Sequence, residues 1–128
     1  MKTLLTALIG VFAFVLVMGM LPEKPKSEEE LAQEMRLAEE QKRKGFHCLS
    51  AWDGSHRNFK EDVQASLREP SSFEHIETRI TPVNDKGYHV LFMDFRARNG
   101  FGGMNLASAS AVVKQSDCSH ELLAIADE

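Results

Sequence analysis

From Thr3 to Leu21 the chain reads TLLTALIGVFAFVLVMGML, with no charged side chain between Lys2 and Glu23. Coiled into a helix, such a run extends about 28 Å, close to the roughly 30 Å hydrocarbon core of a bilayer. A helix that is apolar all round has no burial site in a small soluble domain. The run is longer than the apolar region of a cleaved signal peptide, and its only tolerable cleavage site, Val17-Met18-Gly19, lacks an alanine pair. Residues 1–22 are therefore read as a retained transmembrane signal anchor, with the lipid bilayer as the partner of residues 3–21.

The pattern changes abruptly after Pro22 and Pro25, which cannot continue a helix. Ser27-Glu28-Glu29-Glu30 has the form of a capping box, in which Ser27 caps and Glu30 reaches back to its amide. Acidic residues open the predicted helix and Lys42, Arg43 and Lys44 close it, an order that complements the helix dipole. Gly45 supplies the stop. Leu31, Met35 and Ala38 make only one thin stripe, with Leu37 apart from it, too little for a coiled-coil seam. Residues 23–45 read as a charged helical spacer.

The remainder, residues 46–128, carries the signals of one small α+β domain. Phe59, Val63 and Leu67 recur every fourth position between His56 and Leu67, predicting an amphipathic helix with Asp53 or Ser55 as its N-cap. Pro70 ends it. From Phe73 to Val83, Ile76, Thr78, Ile80 and Pro82 alternate with His75, Glu77, Arg79 and Thr81, which predicts a strand. Asn84-Asp85-Lys86-Gly87 then turns the chain. In the returning strand, Tyr88 to Arg98, Leu91, Met93, Phe95 and Ala97 form the core face, and Val90, Phe92, Asp94, Arg96 and Arg98 a partly wet one. A glycine-dense turn, Asn99 to Gly103, leads to a third strand from Met104 to Lys114. The tail from Cys118 is compatible with a last strand or a turn of helix. The expected architecture is an N-terminal transmembrane helix, a charged spacer helix, and one amphipathic helix packed on a three-stranded antiparallel sheet.

A net charge of −4 and a pI near 5.7, with Lys and Arg scattered among Asp and Glu, exclude nucleic acid as the default partner. A domain of about 80 residues buries a modest fraction of its surface, so a covalent staple matters to it. Cys48 and Cys118 flank the predicted helix and three strands. In an oxidising compartment a disulfide between them contributes about 3–4 kcal/mol on the chain-entropy account. Lys2 on one flank of the anchor faces Lys24 and Lys26 on the other, so charge does not fix orientation. The cysteines and the N-terminal position of the anchor favour an extracytoplasmic domain.

Four groupings invite chemistry. Ser50, Asp53, Ser55 and His56 hold the residue types of a hydrolytic triad, but triads are assembled from distant chain positions, and helix capping uses the same types. His47, Cys48, Cys118 and His120 offer a rival zinc set, without the spacing that zinc sites usually show. His75 and His89 are expected to face each other across the first hairpin as an exposed, structural pair. Arg96, Arg98, Asn99 and Phe101 form a candidate interaction surface; the glycines beside them answer a backbone demand and do not open a helix as a phosphate loop does, and Phe101 is expected to fold onto the core. No catalytic, cofactor-binding or metal residues are assigned, and no cofactor is implied.

Leu67-x-x-Pro70-x-Ser72-Phe73 followed by Arg96-Ala97-x-Asn99-x-Phe101-Gly102-Gly103 resembles the shared core of a group of small bacterial proteins. Trp52-Asp53-Gly54-Ser55-His56 resembles that group as well, and the likeness covers about residues 48–118. The resemblance implies a single small domain behind an N-terminal membrane or export segment, and it brings no activity, ligand or catalytic residue. The sequence thus points to a membrane-tethered binding or interaction module at the bacterial cytoplasmic membrane, with an envelope protein as its partner. The alternatives are a small metal-binding or hydrolase-like protein using the Asp53–His56 or Cys/His region, and a structural accessory subunit of a membrane complex.

Overall fold

A computed structural model describes residues 23–127 of the chain. The expected anchor, residues 1–22, lies outside them. Among the described residues no helix is long and apolar enough to cross a membrane, so a transmembrane helix is not part of the described fold.

Helix α1 spans Glu28–Lys44. The capping box forms as the sequence requires: Ser27 Oγ accepts from the Glu30 amide at 3.2 Å, and Glu30 Oε2 accepts from the Ser27 amide at 2.9 Å. No residue of α1 is buried. Gly45, with φ of 83°, ends it in the left-handed conformation, and a single 3-10 turn, Phe46–Cys48, follows. The end of α1 is tied to the domain through its carbonyls: the Val83 amide donates to the Arg43 carbonyl at 2.9 Å, and the Gln115 side chain, through Nε2, to the Lys42 carbonyl at 3.1 Å.

Helix α2, Arg57–Ser66, starts one residue later than expected and is capped by His56. The His56 Nδ1 lone pair accepts from the Phe59 amide at 3.2 Å. Asp53 and Ser55, the expected caps, are occupied with each other. Leu67 is already extended, and Pro70 opens a second 3-10 turn, Pro70–Ser72.

The sheet has four strands where three were expected. Its order is β1 (Glu74–Ile80), β2 (Tyr88–Arg98), β3 (Met104–Lys114) and β4 (His120–Asp127), every neighbouring pair antiparallel. The tail pairs with β3 from Val113↔His120 to Ala107↔Asp127. The Asn84–Gly87 turn forms through Asn84 Oδ1, which accepts from the amides of Lys86 and Tyr88, each at 3.0 Å.

In β1 the alternation breaks. A bulge falls between His75 and Glu77, so His75 sits opposite Phe95, and Thr78 opposite Met93. Ile76, assigned by simple alternation to the face of Thr78 and Ile80, is nearly half exposed.

The core lies between α2 and one face of the sheet. Phe59 and Val63 of α2 pack with Leu91, Met93 and Phe95 of β2 and Val113 of β3, all fully buried. Burying each such side chain stabilises the fold by about 1.5–3 kcal/mol. Opposite Phe95, Met93 and Leu91 stand Ala107, Ala109 and Ala111, whose small side chains leave volume for the large ones.

Candidate functional site

The Asp53–His56 segment is a capping structure. Asp53 Oδ1 accepts from the Ser55 amide at 3.0 Å and from Ser55 Oγ at 2.7 Å, while Oδ2 accepts from Lys60 Nζ at 2.8 Å. The Lys60 ammonium first, then the Ser55 hydroxyl and amide, hold the Asp53 carboxyl well below the usual carboxylate range. Ser50 Oγ accepts from the Trp52 amide at 3.1 Å. His56 uses both ring nitrogens: besides the Phe59 bond, Nε2–H donates to the Cys118 carbonyl at 2.7 Å. No lone pair of His56 is left to take a serine proton, so the triad geometry does not arise.

Cys48 and Cys118 are joined by a disulfide, with their Cα atoms 5.3 Å apart and 70 positions between them in sequence. Both sulfurs are thereby consumed as thiolate ligands. His47, Cys48 and Cys118 bring their ligand atoms within 4.8 Å of one another, but His47 Nε2–H donates to the Gln115 carbonyl at 2.8 Å. His120, the fourth member of the zinc set, donates instead to Asp62 Oδ2 at 2.7 Å.

The expected His75–His89 pair does not form. His89 is fully buried on the core face, because it shares the parity of Leu91, Met93 and Phe95. Its Nδ1–H donates to the Thr81 carbonyl at 2.8 Å, and its ring lies edge-on to that of His47, with centroids 6.0 Å apart. His75 shares a 2.7 Å hydrogen bond with Thr78 Oγ1.

The candidate interaction surface gains residues. In the Asn99–Gly103 turn, Asn99 Oδ1 accepts from the amides of Phe101 and Gly103 at 2.9 and 3.0 Å, and Gly102 takes φ of 85°. Asn99 Nδ2 donates to Asn105 Oδ1 at 2.9 Å, which fastens the turn to β3. Phe101, expected on the core, is fully exposed at the tip of this braced turn. Beside it a shallow groove is lined by Leu67, Arg68, Arg98, Asn99, Gly100 and Asn105. Arg98 pairs with Glu69 at 3.4 Å, and its amide donates to Ser72 Oγ. Arg96 is exposed on the sheet face opposite α2.

Sequence reasoning missed Arg68 and Gly100. Arg68 makes no hydrogen bond or ion pair among the described residues. Its guanidinium occupies the space a side chain at Gly100 would take, since a Cβ there would stand 2.5 Å from Arg68 Nη1. The only sequence signal was the pair of glycines, Gly100 and Gly103, in excess of what the turn's single positive φ requires. Trp52, almost fully exposed, was also passed over as part of the helix start.

Comparison with known proteins finds no match: no family model, no curated protein and no solved structure is similar to this chain.

Proposed function

We propose that residues 46–128 form a non-enzymatic binding module, tethered to a bacterial cytoplasmic membrane through the apolar stretch 3–21 and exposed on its outer side. The observation that carries the reading is Phe101, an aromatic ring held wholly in solvent on a turn braced by three Asn99 hydrogen bonds. The braced turn lowers the cost of ordering its backbone on binding, and the ring it presents offers a large apolar surface to a partner. The groove beside it adds the Arg68 guanidinium, which has no hydrogen-bond or ion-pair partner among the described residues and is a donor suited to a carboxylate or a carbonyl of a partner. An envelope protein is the partner this chemistry favours. The disulfide supports the compartment, because such bonds persist on the oxidising side of a membrane.

A photo-crosslinking residue at position 101 of the full-length chain, in intact membranes, tests the reading, with position 52 as the comparison. A discrete adduct with another envelope protein from position 101, lost on Arg68→Ala, is expected. Absence of any adduct from position 101, or the same adducts from both positions, removes the proposed surface.

A further inference from the structure

The Cys48–Cys118 bond lies among histidines. The ligand atoms of His47, Cys48 and Cys118 all stand within 4.8 Å of one another, and His47 Nε2 is 3.4 Å from Cys48 Sγ. On one tetrahedral zinc ion, an imidazole nitrogen and a thiolate sulfur are about 3.5 Å apart, given bonds of about 2.0 and 2.3 Å. The two side chains therefore already have the spacing of one edge of such a site. Neighbouring residues seldom reach one ion together; here the tight 3-10 turn Phe46–Cys48 brings them to the same side of the chain.

A second, independent observation points to the same place. Among the described residues, His89 Nε2 is the one buried side-chain nitrogen or oxygen without a hydrogen-bond partner. Such an orphan in a core calls for an explanation. His89 Nδ1–H donates to the Thr81 carbonyl on the β1 side of β2, so in the neutral ring Nε2 carries a bare lone pair. Lying across the ring from Nδ1, it is directed away from β1 and toward β3, and His47 is fastened to the Gln115 carbonyl just past the end of β3. The ring centres of His47 and His89 are 6.0 Å apart. Two imidazoles on one tetrahedral ion stand about 5 Å apart, so a shift of about 1 Å by the exposed His47 closes the difference.

We infer that, once the Cys48–Cys118 bond is reduced, the two thiolates, His47 Nε2 and His89 Nε2 hold one zinc ion. Two sulfurs and two imidazole nitrogens are a donor set that zinc takes in a tetrahedron. The reductant is a dithiol. Its first thiolate attacks one sulfur of the bond and forms a mixed disulfide; its second closes the donor's own disulfide, and Cys48 and Cys118 are left as thiols, having received two electrons. Zinc then displaces one proton from each thiol. The His47 proton passes from Nε2 to Nδ1 as its bond to the Gln115 carbonyl is given up. The backbones of both cysteines are held by bonds that reduction leaves in place. Cys118, alone among the described non-glycine residues in taking a positive φ, 58°, donates its amide to the Lys114 carbonyl at 2.8 Å and accepts at its own carbonyl from His56. The Cys48 amide donates to the Gly45 carbonyl at 3.1 Å. Disulfide and metal site use the same sulfurs, so each state excludes the other. The inference is independent of the Phe101 surface.

The test uses full-length protein in detergent, reduced with a phosphine and dialysed anaerobically against zinc, beside protein left oxidised. The reduced protein is expected to retain one zinc ion per chain and the oxidised protein none. X-ray absorption at the zinc edge is expected to count two sulfurs at about 2.3 Å and two imidazole nitrogens at about 2.0 Å, which reads His89 without removing a core side chain. His47→Ala is expected to weaken zinc binding about tenfold or more, and His120→Gln, at a ring that bonds to Asp62 instead, to leave it unchanged. No zinc on the reduced protein, equal zinc on both forms, fewer than two sulfurs or two imidazoles around the ion, indifference to His47→Ala, or an equal loss in His120→Gln overturns the inference.

Discussion

At the scale of single residues, Gly45 joins backbone conformation to core packing. Its φ of 83° disfavours any side chain, and a Cβ there would stand 2.7 Å from Ile80 Cδ1 and 2.9 Å from His89 Nδ1. Gly45→Ala therefore combines left-handed strain with overpacking and should cost about 2–4 kcal/mol in urea denaturation. Gly54→Ala is the control, since φ is 70° and nothing lies within 4 Å of the added carbon. Its cost should be strain alone, about 1 kcal/mol. Equal losses at the two positions would show that the contacts with Ile80 and His89 contribute nothing. Other residue-scale features escape a reading by residue type: His89 is buried because of strand parity, and Phe101 is exposed because Asn99 satisfies the turn without it.

The elements differ in how plainly the sequence announces them. Helix α1 was legible down to its capping box, and β2 and β3 followed from alternation and from turns rich in Asn and Gly. Strand β4 was ambiguous because HELLAIAD lacks alternation: an edge strand uncovered on both faces has no burial difference to record in its sequence. The β1 bulge was invisible because register depends on a partner strand. The start of α2 shifted because His56, rather than Asp53 or Ser55, supplies the cap. That cap gives the element a pH dependence. Burial, and then the neighbouring His120, push the His56 pKa below the ordinary histidine value, and burial does the same to His75. The unfolded chain takes up protons near pH 6.5 that the folded chain resists. This contribution to stability is complete above about pH 6.5 and is lost as the pH falls through the lowered folded values. The urea midpoint should thus drop between pH 7 and pH 5, less steeply in His56→Gln. A midpoint that stays flat or rises over that interval would refute the argument.

For the molecule as a whole, the proposed compartment is the claim on which the disulfide bears most directly. The bond closes most of the domain into a single loop, worth about 4 kcal/mol on the chain-entropy account, a large share of the stability of so small a fold. The proposed outer-side location would keep this link oxidised. The candidate site was half legible at this scale: Arg98, Asn99 and Phe101 stood in one sequence motif, whereas Arg68 reaches the turn only through the fold. The most direct measurement is alkylation of Cys48 and Cys118 in intact cells by a membrane-impermeant maleimide, read as a mass shift with and without prior reductant. The account expects neither cysteine labelled before reduction and both labelled after it, without lysis. Labelling of both without reductant, or labelling only after the cells are broken, would contradict it.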